Sequence, residues 1–83
     1  MRIQLHPHAK ARLLERGATE SEVSATVEGG ERFLAAFGRT GFRRSFSSEG
    51  LWQNRPHSHK RVEAFAVEEG DGWLVITVAA RYF

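Results

Sequence analysis

The stretch Trp73–Phe83, WLVITVAARYF, decides how the rest of this 83-residue chain is read. It is rich in β-branched and aromatic side chains, has no Gly or Pro, and is entered through the turn Glu69-Gly70-Asp71-Gly72. Alternation places Leu74, Ile76, Val78, Ala80 and Tyr82 on one face and Trp73, Val75, Thr77, Ala79, Arg81 and Phe83 on the other. Both faces are largely apolar, which predicts a central strand and not an edge.

Its hairpin partner is Lys60–Glu68. A two-residue Gly70-Asp71 loop pairs Glu69 with Gly72, and counting back pairs Val67 with Leu74, Phe65 with Ile76 and Glu63 with Val78. The other face then pairs Ala66 with Val75, Ala64 with Thr77, Val62 with Ala79 and Lys60 with Arg81. The first set is bulkier and is expected against the helices, which leaves Lys60 and Arg81 opposed on the uncovered face. Like charges directly opposite across a ladder cost roughly a few tenths to 1 kcal/mol, and a bound anion such as a phosphate relieves that cost. A one-residue bulge removes the pairing.

Upstream, Arg2–His6 alternates as a short strand. Helix one spans Pro7–Arg16, with proline in its first turn, Ala9, Leu13 and Leu14 inward, and Gly17 as a left-handed stop. Thr19 and Glu22 form a capping box for helix two, Glu20–Glu28, which buries Val23 and Val27 and ends at Gly29-Gly30. From Arg32 the period changes to two. Arg32–Phe37 and Phe42–Ser47 read as strands joined by a tight hairpin at Gly38-Arg39-Thr40-Gly41. If Arg39-Thr40 form the loop, Phe33, Ala35 and Phe37 share a helix-facing surface with Phe42, Arg44 and Phe46. Ser48–His59 reads as a long loop carrying Trp52, Arg55, His57 and His59. The order is β-α-α-β-β-β: one α+β domain, residues 1–83, a two-layer fold with an antiparallel sheet and two helices on one face.

The net charge is only +2 but is unevenly spread. Residues 39–61 carry Arg39, Arg43, Arg44, Arg55, Lys60 and Arg61 against Glu49 alone, a balance of +5, while residues 62–83 stand at −3. A basic middle beside an acidic hairpin tip points to a polyanion such as RNA. The chain has no cysteine, and MRIQLHPHAK has no apolar run of the kind a signal peptide needs. A bacterial cytoplasmic protein without a membrane partner is the expectation.

The four histidines fall in two H-x-H pairs, His6-Pro7-His8 and His57-Ser58-His59. No acid or cysteine lies inside either pair, so no metal and no cofactor is expected. A histidine beside a Lys/Arg cluster also suits RNA cleavage: a proton acceptor for the 2′-hydroxyl, and cations for the charge that develops on the phosphorus centre. His59 and His8 are the candidates for proton transfer, Lys60 and Arg81 for the phosphate. Arg43, Arg55, Arg61 and Lys60 are the candidate nucleic-acid contacts.

The run His8-Ala9-Lys10-Ala11-Arg12-Leu13-Leu14-Glu15-Arg16-Gly17, followed by Thr19-Glu20-Ser21-Glu22-Val23, resembles the N-terminal pattern of the small bacterial domain family DUF4258. His59-Lys60-Arg61-Val62-Glu63, Val67–Asp71, Ile76-Thr77-Val78 and Tyr82-Phe83 resemble its tail. The chain departs from the pattern at Ala18, where the family more often has isoleucine, and at Ala79-Ala80, where an aromatic often follows Thr-Val. The family has no settled activity. Its element order is similar to that of RelE/ParE-type toxins, whose ribonuclease members use basic residues on the sheet and often a tyrosine near the C-terminus. The resemblance thus implies a ribonuclease or toxin-type domain with an antitoxin-like protein partner. A non-catalytic module binding RNA or protein is the alternative. So is a dimer-forming protein, paired through Val62, Ala64, Val75 and Thr77 on the open face, which leaves monomer or homodimer open.

Overall fold

The structure is a computed structural model that describes residues 1–83, apart from the Ser48 side chain. Its elements are β1 (Arg2–Leu5), α1 (Pro7–Arg16), α2 (Glu20–Gly29), β2 (Glu31–Leu34), β3 (Thr40–Trp52), β4 (Arg55–Glu69) and β5 (Gly72–Tyr82), with a short 3-10 turn at Ala36–Gly38. Four strands follow the helices, one for each stretch read as a strand and one more than the order β-α-α-β-β-β counts. The sheet runs β1-β5-β4-β3-β2, antiparallel except that β1 lies parallel to β5, and both helices pack on one face of this α+β fold.

The helix ends follow the local chemistry. His6 accepts the His8 amide ahead of Pro7, and Gly17 closes α1 at φ +69. Thr19 Oγ1 accepts the Glu22 amide while Glu22 Oε1 accepts the Thr19 amide, at 3.1 and 2.9 Å. Ala9, Leu13, Val23 and Val27 are buried, but Leu14 is 88% exposed. It lies outside the stripe that Ala9 and Leu13 turn to the sheet.

The two halves of β5 run out of phase. The ladder from Glu69↔Gly72 to Ala66↔Val75 follows the expected register. Ile76 is then an extra residue: Phe65 pairs with Thr77, Ala64 with Val78, Val62 with Ala80, Arg61 with Arg81 and Lys60 with Tyr82. The faces are also the reverse of the expectation from bulk. Val62, Ala64, Ala66 and Val75 are fully buried under the helices. Small side chains there let the helices sit close to the sheet. Bulk comes instead from Phe42 and Trp73, whose rings meet edge to face at 5.0 Å with the Arg32 guanidinium above both. Phe65 is on the other side, edge to face with Phe33. The dimer surface expected from Val62, Ala64 and Val75 is therefore core.

Two hairpins also differ from expectation. Leu34 pairs with Thr40 and Arg32 with Phe42, so the loop is Ala35–Arg39, and Phe33 faces away from Phe42. Phe37 sits in that loop at φ +62 with its ring 91% exposed. The Ser48–His59 segment is not a loop. β3 and β4 continue through it to a two-residue turn, Gln53-Asn54, with φ +52 and +62, the primed geometry that matches strand twist.

Candidate functional site

Lys60 lies on the helix side of β4 and is 5% exposed. Its Nζ donates to the Gly17 carbonyl at 2.6 Å and to Glu22 Oε1 at 2.7 Å. Burial pushes the Glu22 carboxyl up, but hydrogen bonds from Lys60 and Thr19 and the Lys60 charge outweigh it and hold the group below its ordinary value. Lys60 therefore ties β4 to the junction of α1 and α2. The expected Lys60–Arg81 pair does not form, because the bulge at Ile76 advances β5 by one residue and puts Tyr82 opposite Lys60.

The same shift creates a different pair. Arg61 and Arg81 face each other directly on the open face. Three successive rows cross the strands there, neighbours about 4.8 Å apart along the hydrogen bonds. Glu31, Arg43, Glu63 and Ala79 form one, balanced by the 2.6 Å ion pair between Arg43 and Glu31. Ser45, Arg61 and Arg81 form the next, and among the described residues no carboxylate is ion-paired with either arginine. Ser47, His59 and Phe83 form the last. Arg61 lines two depressions: one of about 390 Å³ shared with Glu31, Arg43, Arg44 and Ser45, and one of about 270 Å³ shared with Arg81, Tyr82 and Phe83. Its guanidinium lies 5.7 Å from the centre of the Phe83 ring.

The other candidates separate. His59 stays in this neighbourhood, its ring stacked on Phe83 at 5.7 Å and its Nδ1 2.9 Å from Ser58 Oγ. Ser58 and His59 both donate their amides to the Phe83 carbonyl, the two-to-one pattern of a bulge, and this holds the segment to the end of β5. His8 sits on the first turn of α1, in the helix layer, with the sheet between it and Arg81. It has no part in an open-face site. Arg55 lies beside Tyr82, apart from Arg61.

Sequence reading missed the aromatic group at this end of the molecule. Trp52 stacks on Tyr82 at 4.5 Å and 17°, and His57 meets Tyr82 nearly edge-on at 4.9 Å. The Tyr82 hydroxyl donates to the Arg16 carbonyl; burial first, then the negative charge of Glu22, raise its pKa. Asn54 at the second turn position was the available signal for the hairpin that carries Trp52 here.

Among the described residues no three His, Asp or Glu side chains gather as a metal site, and no helix is long and apolar enough to cross a membrane. No family model matches the chain, and no curated protein or solved structure matches it either.

Proposed function

We propose that the domain binds single-stranded RNA through the basic end of its open sheet face. The observation that carries this reading is the Arg61–Arg81 pair, two cations held opposite each other on adjacent strands with, among the described residues, no carboxylate ion-paired to either. A phosphate between them removes their repulsion and gains charge-assisted hydrogen bonds. Ser45 extends the row, and the rings of His59 and Phe83 give unstacked bases an aromatic surface next to it. The motif resemblance to DUF4258, and through it to RelE-type ribonucleases, agrees with this substrate class by analogy alone.

A second reading, RNA cleavage, is favoured by His59, which lies in the row next to the two arginines. In it His59 takes the proton of a 2′-hydroxyl while Arg61 and Arg81 hold the charge on the attacked phosphate. Filter binding of a labelled single-stranded RNA over a salt series tests the first reading. The double variant Arg61→Ala/Arg81→Ala should weaken binding and flatten the dependence of log K on log salt by about 1.4, as expected for two lost phosphate contacts. Wild-type RNA affinity that does not respond to salt, or is unaltered in the double variant, sinks it. Cleavage products that disappear in His59→Ala while binding persists identify the second reading.

A further inference from the structure

We propose that the depression beside Tyr82 is a base pocket, taking the nucleobase of one nucleotide of a strand whose phosphates lie on the open face. Its volume is about 300 Å³, at the small end of ligand sites and suited to a single nucleotide unit. The stacked Trp52–Tyr82 pair makes one wall, and Pro56 and Ala80 add apolar surface. Gln53 and His57 bring groups that can hydrogen-bond to the edge of a flat heterocycle, and Arg55 brings a cation for the attached phosphate. Planarity, an edge to read and a nearby negative charge are together the chemistry of a nucleotide.

The pocket is built in advance. Tyr82 is pinned through its hydroxyl to the Arg16 carbonyl. Trp52 lies so close to Gly17 that a side-chain carbon there would come within 2.6 Å of the indole. Gln53 and Asn54 both hold left-handed backbone angles in the two-residue primed turn, which sets Gln53 and Arg55 at the rim. Walls fixed before binding lose little freedom when a ligand arrives. Tyr82 also lines the Arg61–Arg81 depression, so the two sites adjoin around the end of β5.

The inference rests on the RNA reading only for the strand that supplies the base; the pocket can be tested without it. Trp73 is 7% exposed in the core, whereas Trp52 lines the pocket, so a bound base should change the emission of Trp52. Titration of the full chain with AMP and UMP should give saturable quenching, with ribose 5-phosphate at least roughly tenfold weaker because it has no base to stack. Arg55→Ala, a change at an exposed residue, should weaken AMP binding severalfold with an unchanged melting temperature. Arg61→Ala/Arg81→Ala should leave AMP binding intact. Ribose 5-phosphate binding as tightly as AMP, AMP failing to bind, or AMP affinity unmoved by Arg55→Ala each overturns the base pocket. Loss of salt-dependent RNA retention with AMP binding intact counts against the open-face reading alone and leaves the pocket standing.

Discussion

Lys60 and Arg61 are adjacent on β4, one turned under the helices and the other out on the open face. Lys60 is buried and paired with Glu22. Arg61 is half-buried and opposed by a second arginine. On the covered face a cation is tolerated because a carboxylate and a carbonyl replace its lost water; on the open face solvent screens the repulsion, and no such replacement is needed. The cation that holds the fold has its counter-charge inside the chain; the one at the proposed site has, among the described residues, no ion-paired carboxylate.

The largest effect that would break this contrast is at Lys60. Lys60→Ala leaves the largely buried Glu22 with only its Thr19 contacts and should destabilise the domain by about 3 kcal/mol, measured by urea unfolding, since breaking a buried pair from one side leaves a desolvated charge uncompensated. A loss under 1 kcal/mol would mean that Lys60 is no more structural than Arg61. Gly17→Ala should cost about 2 kcal/mol: it forces a side chain into φ +69 and against the Tyr82 hydroxyl and Trp52. The Glu22 link also sets a pH dependence. Because the folded carboxyl sits below its ordinary value of 4.5, its contribution is present above that pH and is lost as pH falls through the lower folded value. Thermal melts should show a fall below about pH 4.5 that is shallower in Glu22→Gln. Smallest of all, Arg61→Ala should change stability by only a few tenths of a kcal/mol, on the stabilising side, because one of two opposed charges is gone. A clear destabilisation there would remove the distinction between the two faces.

Much of the fold was legible because its signals are local. Pro7, Gly17 and the Thr19–Glu22 box set both helices without reference to the sheet, and Gly70-Asp71 fixed the register of the last hairpin as far as Ala66↔Val75. The remainder depends on distant partners. Nothing within WLVITVAARYF marks Ile76 as an extra residue; the bulge is defined by pairing with Phe65 and Ala66. Bulk misled the choice of face, because packing two helices on this sheet favours Ala64 and Ala66 over Phe65. The arginines of the site were legible as residues and not as neighbours. Arg81 stands near the end of β5 in either register, but its partner, Arg61, is one residue from the Lys60 that an unbroken ladder would set against it. The Trp52–Tyr82 stack joins positions thirty residues apart through a turn that Gln53 and Asn54 make in place of glycine.

The extra residue at Ile76 acts as a phase switch for everything after it. Upstream of it β5 is in step with β1; downstream, its side chains are offset by half a pleat. Were Ile76 drawn into the ladder opposite Phe65, every later pairing would slip by one, swinging Arg81 towards the helices and Tyr82 outward, so a change of register alone would dismantle both sites while leaving every residue of them in the chain. Such a loss would be invisible to any comparison that asks only whether the key side chains are present.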